Sequence, residues 1–149
     1  MKNLTIFDLA EWFLNKESMT HKKLQKLCYY AVAWGYALMH KKIVEHDEFQ
    51  AWIHGPVSQE LYKKYKDNGW NNIKNTEINK PDFPNDIEEL LESVWVTYGK
   101  KGGNELEALS HSERPWKEAR IGLDTNDRSC KEIDVKVMEE FYSSIYIGD

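Results

Sequence analysis

Cysteine is scarce in this sequence, and nothing in the spacing of the two cysteines would pair them. Cys28 and Cys130 are the only cysteines in 149 residues, and neither belongs to a CxxC motif or to a pair with metal-ligand spacing. Neither a disulfide framework nor a zinc ribbon is therefore indicated. A chain of this length buries about 68–70% of its unfolded surface, so one hydrophobic core can hold it together.

Long hydrophobic runs are also absent. No segment approaches the ~18 consecutive apolar residues that a membrane span needs. The first twelve residues, MKNLTIFDLAEW, are interrupted by Asp8 and Glu11 and lack the apolar centre of a signal peptide. We therefore expect a cytoplasmic protein that does not enter a membrane.

The motifs that usually indicate catalysis or metal binding are missing. The sequence contains no GxGxxG or phosphate-binding loop, and its five histidines lack HExxH or HxxxH spacing. His111 and Glu113 match half of a zinc deaminase signature, but the PCxxC run that completes it is absent. Cys28 lies on an apolar helical stripe, where a small core residue is expected rather than a nucleophile. We predict no catalytic residues, no metal and no cofactor, although a site assembled from distant residues stays open.

The net charge of −5 is unevenly distributed. Residues 1–75 carry 11 Lys/Arg and 8 Asp/Glu, whereas residues 76–149 carry 9 and 17. Two solvated faces would explain this pattern, and so would a bipolar surface that orients a partner electrostatically. The lysines of the basic half that could meet a nucleic acid are Lys22, Lys23, Lys26, Lys63, Lys64 and Lys66. The acidic character of the whole chain argues against nucleic-acid binding as the main role.

Helical periodicity dominates the chain. Thr5, followed by Asp8, indicates a capped first helix. Thr20 begins a second helix whose apolar stripe is so wide that we expect it to be central and largely buried. Further helices are predicted to be capped by Asp86, by Asn104 and by Asp134, and another to start near Ser112 and Pro115.

A small β-hairpin is predicted between the second and third helices. Ile43 and Val44, and then residues 49–53, suit two short strands around the polar EHDE segment. Pro56 is predicted at the first position of the next helix, which ends near Asn68 and Gly69. The inward stripe of that helix is predicted to contain Val57, Leu61 and Tyr65. Residues 70–85 are predicted to be a loop.

These elements predict a mainly α fold. We expect a single compact helical domain over residues 1–149, with about six or seven helices and a small β-hairpin insertion.

Three segments of the sequence, taken in their order along the chain, form a characteristic pattern. They are KLQKLCYYAVAW at 23–34, QAWIHGPVSQELYKKYKDNG at 50–69 and LEALSHSERPWKEAR at 106–120. The order of these segments and the residues within them resemble the Panacea domain, also called the SocA-like antitoxin domain. That family is similar in the pattern Lys-Leu-x-Lys-Leu-x-Tyr, then Ala-Trp-x-x-Gly-Pro-Val, then Leu-Ser/Thr-His with Pro-Trp-Lys shortly after. The resemblance is strongest over residues 20–120.

The resemblance implies an antitoxin that neutralises a protein toxin by direct binding, with a mainly helical fold and no catalytic residues. Some members carry an added DNA-binding domain, but we expect no helix-turn-helix extension on either flank of this sequence. The alternative is a phage- or prophage-derived accessory protein that acts as an adaptor or as an inhibitor of a host factor. The expected partner is thus a toxin or another host or phage protein, and a homodimer stays open.

The segment around Gly55 and Pro56 is predicted to be a rigid joint. Gly55 lets the backbone pass close to a side chain, and Pro56 fixes φ. Trp52 and His54 alternate with Ile53, so we expect them on one face of a strand. The residues of this structural motif are Trp52, His54, Gly55, Pro56, His111, Pro115 and Trp116. We expect its two histidines to be hydrogen-bonding residues rather than metal ligands.

The partner is predicted to bind beside this joint. Tyr62 lies at the rim of the third helix, Lys63 and Lys66 can steer an acidic partner, and Trp70 can extend the patch. The alternative is that Tyr62 and Trp70 close the core.

Overall fold

The chain is mainly helical, as predicted. The computed structural model describes residues 3–74 and 80–146, and within them it contains seven α-helices and four short strands. The helices are α1 (Ile6–Lys16), α2 (His21–Met39), α3 (Gln59–Tyr65), α4 (Asn85–Tyr98), α5 (Gly103–His111), α6 (Arg114–Ala119) and α7 (Val135–Ile145). The strands are β1 (Met19–Thr20), β2 (Gln50–Trp52), β3 (Gly55–Val57) and β4 (Asn72–Ile73). A 3-10 helix, Lys66–Asn68, follows α3 directly.

Helix α2 lies at the centre of the fold. It contacts α1, α3, α4, α5 and α7, and it is buried along almost its whole length, as its wide apolar stripe predicts. Gly35 allows the segment after α2 to pack closely, because a Cβ at this position would lie 2.8 Å from Ile43. Cys28 is fully buried in α2, and burial raises the pKa of its thiol, so it is a core residue as expected.

Three of the predicted helix caps are confirmed. The hydroxyl of Thr5 accepts a hydrogen bond from the backbone N–H of Phe7, and the Asp8 carboxylate accepts one from the Thr5 N–H at 2.8 Å. This reciprocal pair satisfies donors that the helix start leaves unpaired. Thr20 and Asp134 cap α2 and α7 in the predicted positions.

Two other predicted caps are each wrong by two residues. Helix α4 starts after Pro84, which leaves Asp86 inside the first turn. Helix α5 starts after Gly102, where the Glu105 carboxylate accepts the Gly102 N–H at 3.1 Å. An acid three residues after the cap therefore replaces the side chain of Asn104 as the capping group.

The hairpin exists, but its predicted strands are partly wrong. Strand β2 pairs with β3 in antiparallel register, with Ile53 and His54 as the two-residue connection. The segment containing Ile43 and Val44 belongs to no strand of the hairpin. Both side chains are buried in the core, and the next residue, Glu45, forms backbone hydrogen bonds with Leu4 and Ile6 at the start of α1 instead. Trp52 is thus the last residue of β2, and His54 lies in the turn instead of on the same strand.

Pro56 is not the first residue of a helix, contrary to the prediction. It lies in β3 opposite Ala51, and Ser58 caps α3 by accepting the Leu61 N–H. A serine hydroxyl can satisfy an unpaired helix donor, which proline cannot do. Val57 is accordingly buried as a strand residue, whereas Leu61 and Tyr65 form the inward stripe of α3 as predicted.

The predicted loop over residues 70–85 is interrupted by one short strand. Asn72 pairs with Thr20, and Ile73 pairs with Met19, so β4 extends β1 as an antiparallel pair. Residues 75–79 of this segment lie outside the described residues. This pairing fixes the chain that follows α3 to the start of α2.

A buried carboxylate joins α2, α6 and α7. Glu113 accepts hydrogen bonds from the hydroxyls of Tyr30 at 2.8 Å and Tyr142 at 2.9 Å. The Tyr29 hydroxyl lies 3.1 Å from that of Tyr142 and extends the network. Burial raises the pKa of Glu113, and the two tyrosine donors act in the opposite direction. The network is buried, so each of its hydroxyls depends on a protein partner.

We predict that Glu113→Ala lowers the free energy of unfolding by about 1–3 kcal/mol or more, because two buried tyrosine hydroxyls lose their acceptor. Glu113→Gln retains one acceptor oxygen and should lose clearly less. Urea denaturation of both variants at pH 7 measures the difference. Equal losses for the two variants would contradict an acceptor role for this carboxylate.

Candidate partner-binding site

An open cavity of about 450 Å³ lies where the first half of α2 meets the β2–β3 hairpin and α3. Its lining combines aromatic and cationic side chains. The lining residues are His21, Lys22, Gln25, Lys26, Trp52, His54, Val57, Tyr62, Lys66, Gly69 and Trp70. The structure therefore brings three of the predicted partner contacts together with two residues of the predicted joint. The fourth predicted contact, Lys63, is exposed on α3 and does not line the cavity.

Three aromatic side chains form the walls of this cavity. The rings of Trp52 and Tyr62 pack with centroids 4.9 Å apart, and the Tyr62 ring also lies 5.7 Å from that of His21. Trp70 follows the positive-φ residue Gly69 and is 82% exposed. Tyr62 is also exposed, and neither it nor Trp70 belongs to the hydrophobic core, so the core-closing alternative does not hold.

The cavity floor contains a buried lysine. Lys26 is only 2% exposed, and its ammonium donates a hydrogen bond to the carbonyl of Pro56 at 3.3 Å. A Cβ at Gly55 would lie 2.8 Å from Lys26 Cε and 3.1 Å from Ser110 Oγ. Gly55 also has a φ of +108°, which side-chain-bearing residues rarely adopt. The joint thus requires glycine for two reasons, its backbone conformation and the lysine stem beneath it.

Burial changes the protonation of Lys26. Loss of hydration lowers the pKa of Lys26 to about 7, the charge of Lys22 acts in the same direction, and Glu107 opposes them. Counting Lys26 among the exposed lysines that could meet a nucleic acid was therefore wrong. The physical reason is that the hairpin covers this face of α2, which the sequence of the helix alone does not reveal.

A buried glutamine fixes the start of α3 against α2. The Gln25 amide donates to the Ser58 carbonyl at 3.0 Å, and its oxygen accepts the Ser58 N–H at 2.7 Å. The same amide nitrogen lies 3.1 Å from Nε2 of His21. Burial, followed by the charge of Lys26, lowers the pKa of His21 to about 4. This side of the cavity is therefore rigid, and His21 is neutral at pH 7.

One carboxylate at the rim contacts both a lysine and a histidine. Glu107 forms an ion pair with Lys22 and lies 3.2 Å from Nδ1 of His54. Burial acts to raise the pKa of Glu107, but the hydrogen bonds from Lys22 and His54 outweigh it and lower that pKa. His54 thus makes a hydrogen bond, in accord with the predicted structural role. The Glu107 carboxylate therefore bonds to Lys22 and His54 and forms no ion pair with Lys26.

Helix α6 holds the hairpin from its other side. Trp116 Nε1 donates to the Trp52 carbonyl at 2.8 Å, and Arg120 Nη1 donates to the Ala51 carbonyl at 2.8 Å. The His111 ring stacks on Trp116 at 3.9 Å between centroids. Nε2 of His111 is buried without a hydrogen-bond partner, so the predicted hydrogen-bonding role is not met at this nitrogen. Burial lowers the pKa of His111, and a hydrogen bond with the backbone of Ile53 is among the contacts that oppose this shift. The buried Pro115 begins the first turn of α6 and sets the position of Trp116.

A second cavity of about 430 Å³ adjoins the first. Trp52, His54, Val57 and Tyr62 line both cavities, and the second is completed by Ile53 and residues 128–130. The hairpin and Tyr62 therefore stand between two neighbouring concave surfaces.

Two features are absent from the part of the chain that the structure describes. Across residues 3–74 and 80–146, no group of three or more His, Cys, Asp or Glu side chains is arranged to hold a metal ion. No helix in the same part of the chain is long and apolar enough to cross a membrane.

Three residues that position the site were not predicted as site residues. Gln25 and Lys26 lie outside the apolar stripe of α2, and their partners Ser58 and Pro56 come 33 and 30 residues later. Arg120 bonds to the Ala51 carbonyl and joins segments 69 residues apart. No local pattern in the sequence identifies such contacts.

We predict that Gly55→Ala destabilises the protein by about 1–3 kcal/mol through backbone strain alone, with a further loss from the clash with Lys26. Gly69→Ala is the matched control, because Gly69 also has positive φ but a Cβ at this position would meet no atom within 4 Å. Thermal unfolding of both variants measures the difference. A loss no larger at Gly55 than at Gly69 would contradict the close approach of Lys26.

We predict that Lys26→Met raises the stability at pH 7 by about 1–4 kcal/mol, as replacement of a poorly compensated buried charge does elsewhere. The pKa of Lys26 falls from the ordinary 10.5 to about 7 on folding. As the pH falls between these values, the unfolded chain binds a proton that the folded protein does not, so stability is lost across this window. The advantage of the variant should therefore shrink as the pH is raised from 7 towards 10. Denaturant unfolding at several pH values measures it, and a constant difference contradicts the lowered pKa.

Comparison with known proteins agrees with the sequence pattern. The family model described as the antitoxin SocA-like Panacea domain matches residues 24–117. The chain is 34% identical over an alignment of 116 residues to Antitoxin SocA of Caulobacter vibrioides (strain NA1000 / CB15N), and the match covers 69% of this chain and 61% of that relative. The chain thus spans about three fifths of the length of this curated relative. No solved structure matches. The matched residues include most of α2, the hairpin and Trp116, and the chain belongs to the SocA-like Panacea domain family.

Proposed function

We propose that this protein is an antitoxin that neutralises a partner toxin by direct protein–protein binding, without catalysis. The observation that carries the proposal is the meeting of the family's segments with exposed aromatic side chains at one cavity. Membership of an antitoxin family supports a protein partner in general. We further propose that residues 1–149 act as one unit in the cytoplasm.

Tyr62, Lys63, Lys66 and Trp70 are the proposed contacts. Trp70 and Tyr62 are exposed aromatic residues at a concave surface, which is the usual setting of interface anchors. Lys66 lines the cavity and Lys63 lies nearby on α3, so both supply positive charge for the polar rim of an interface. An exposed tryptophan outside the core adds apolar area that a partner can bury.

The hydrogen bonds of the joint support a role in which the protein binds its partner without a large conformational change. Hydrogen bonds from Trp116, Arg120 and Gln25 fix the hairpin and the start of α3. A surface that is ordered before binding loses less conformational entropy in the complex. Trp52 and Tyr62 are thereby held in place for a partner.

We predict that co-expression with the toxin encoded beside this protein restores growth, and that Tyr62→Ala or Trp70→Ala weakens the purified complex by about 1–4 kcal/mol. Because both side chains lie outside the core, the melting temperature of the free protein should stay close to the wild-type value. Titration calorimetry and thermal unfolding measure the two quantities.

Val96→Ala is the control variant, because Val96 is an exposed apolar residue of α4 that lines neither cavity. It should bind the toxin like the wild type. Failure of the wild-type protein to relieve growth arrest by any adjacent gene product would contradict the antitoxin proposal. Reduced melting temperature with normal binding by the folded fraction would contradict the assignment of the surface.

A further inference from the structure

We propose that the cavity above Lys26 receives a carboxylate from an acidic segment of the partner protein, with a neighbouring apolar side chain seated between Trp52, Tyr62 and Trp70. This inference rests on the proposed function, because it specifies the chemistry of the partner that the same surface binds.

The first argument is the unsatisfied hydrogen-bonding capacity of Lys26. An ammonium group has three donors. Among the described residues, the one hydrogen bond that this ammonium makes goes to the Pro56 carbonyl, a neutral acceptor at 3.3 Å. Glu107, a carboxylate whose charge acts on Lys26, is paired with Lys22 and His54. Lys26 therefore lacks a carboxylate of its own.

The second argument is the energetic effect of a bound anion. An uncompensated buried charge is strongly destabilising, and a charge-assisted hydrogen bond to a carboxylate compensates it. Such a carboxylate would favour the charged form of Lys26, whose pKa burial lowers in the free protein. Lys26 would consequently be more stable as a cation in the complex than in the free protein.

The third argument is the charge of the other cavity residues. Lys66 adds a second cation to the lining, and Lys22 also lines the cavity, although its ammonium is paired with Glu107. No acidic side chain among the described residues lines the cavity. His21 is neutral at pH 7, and His54 faces Glu107 at the rim. The lining therefore favours an anionic group and disfavours a basic one.

The fourth argument is the size and shape of the site. A volume of about 450 Å³ lies within the range of ~300–1,000 Å³ that is typical of ligand sites, so it fits a few side chains of a segment. The aromatic walls provide apolar contact beside the cation. A nucleic acid is less suitable, because its regularly spaced phosphates need a row of exposed cations, and this net-acidic chain buries Lys26 at a cavity floor.

The experiment selects peptides on the purified protein from a phage-displayed library of random dodecamers. We expect a consensus in which Asp or Glu lies next to an aromatic or aliphatic residue. The selected peptide is then synthesised with a fluorescein label, and its dissociation constants for the wild type, Lys26→Met and Lys117→Met are measured by fluorescence anisotropy. Lys117 is an exposed lysine that does not line the cavity, so it controls for loss of net charge.

Lys26→Met should weaken peptide binding by about tenfold or more, and Lys117→Met by less than about twofold. Replacing the consensus Asp or Glu of the peptide by its amide should weaken binding to the wild type but not further weaken binding to Lys26→Met. Peptides with a free and an amidated C-terminus distinguish a terminal carboxylate from a side-chain carboxylate. Circular dichroism checks that the variants are folded.

The inference is wrong if selection yields no consensus or one without acidic residues, or if Lys26→Met binds the selected peptide like the wild type. It is also wrong, while the antitoxin proposal stands, if Lys26→Met still binds and neutralises the toxin normally. If the wild type neutralises no toxin but peptide binding depends on Lys26, the antitoxin proposal fails and the carboxylate site remains.

Discussion

The burial of Lys26 beneath the β2–β3 hairpin is the contact on which the geometry of the site depends. Its stem passes so close to Gly55 that a side chain there would clash, and its ammonium bonds to the Pro56 carbonyl. Trp116 and Arg120 then hold strand β2 from the opposite side. Three segments that are far apart in the sequence therefore form one joint, and this joint sets the position of the cavity.

Two buried ionisable groups of this protein differ in how they are satisfied. Glu113 accepts hydrogen bonds from two tyrosine hydroxyls inside the core, both at Oε1, so its observed partners belong to the folded chain. Lys26 bonds to one neutral carbonyl and lines an open cavity. The first arrangement stabilises the packing of α2 against α7. The second leaves binding capacity for a group from outside the chain, next to exposed aromatic side chains.

The structural features that were predicted correctly are those that depend on residues close together in the sequence. Thr5, Thr20 and Asp134 cap helices through residues two or three positions away, and the width of the α2 stripe places that helix at the centre. The predicted strand pairing was partly wrong. Strand β2 is held in place by residues distant in the sequence, through the hydrogen bond from Arg120 and an antiparallel bridge from Gln50 to Glu132. No local pattern carries that information.

The candidate site, like the fold, could be predicted only in part from the sequence. Exposed aromatic and basic residues after the Gly-Pro pair indicated Tyr62, Lys66 and Trp70, and these residues do line one cavity. Lys63 does not line it, because successive residues of a helix point about 100° apart. The burial of Lys26 could not be read from α2 alone, since the element that covers it comes some thirty residues later.

Titration of the Lys26 side chain by NMR tests the central claim most directly. The ¹³Cε resonance, assigned by its loss in Lys26→Met, is followed as the pH is raised from 5 to 11. The account predicts a midpoint near pH 7 for Lys26, well below the ordinary lysine pKa of 10.5. A midpoint near 10 for Lys26 would show that its ammonium is hydrated or already paired, and would contradict a buried cation that awaits an anionic partner.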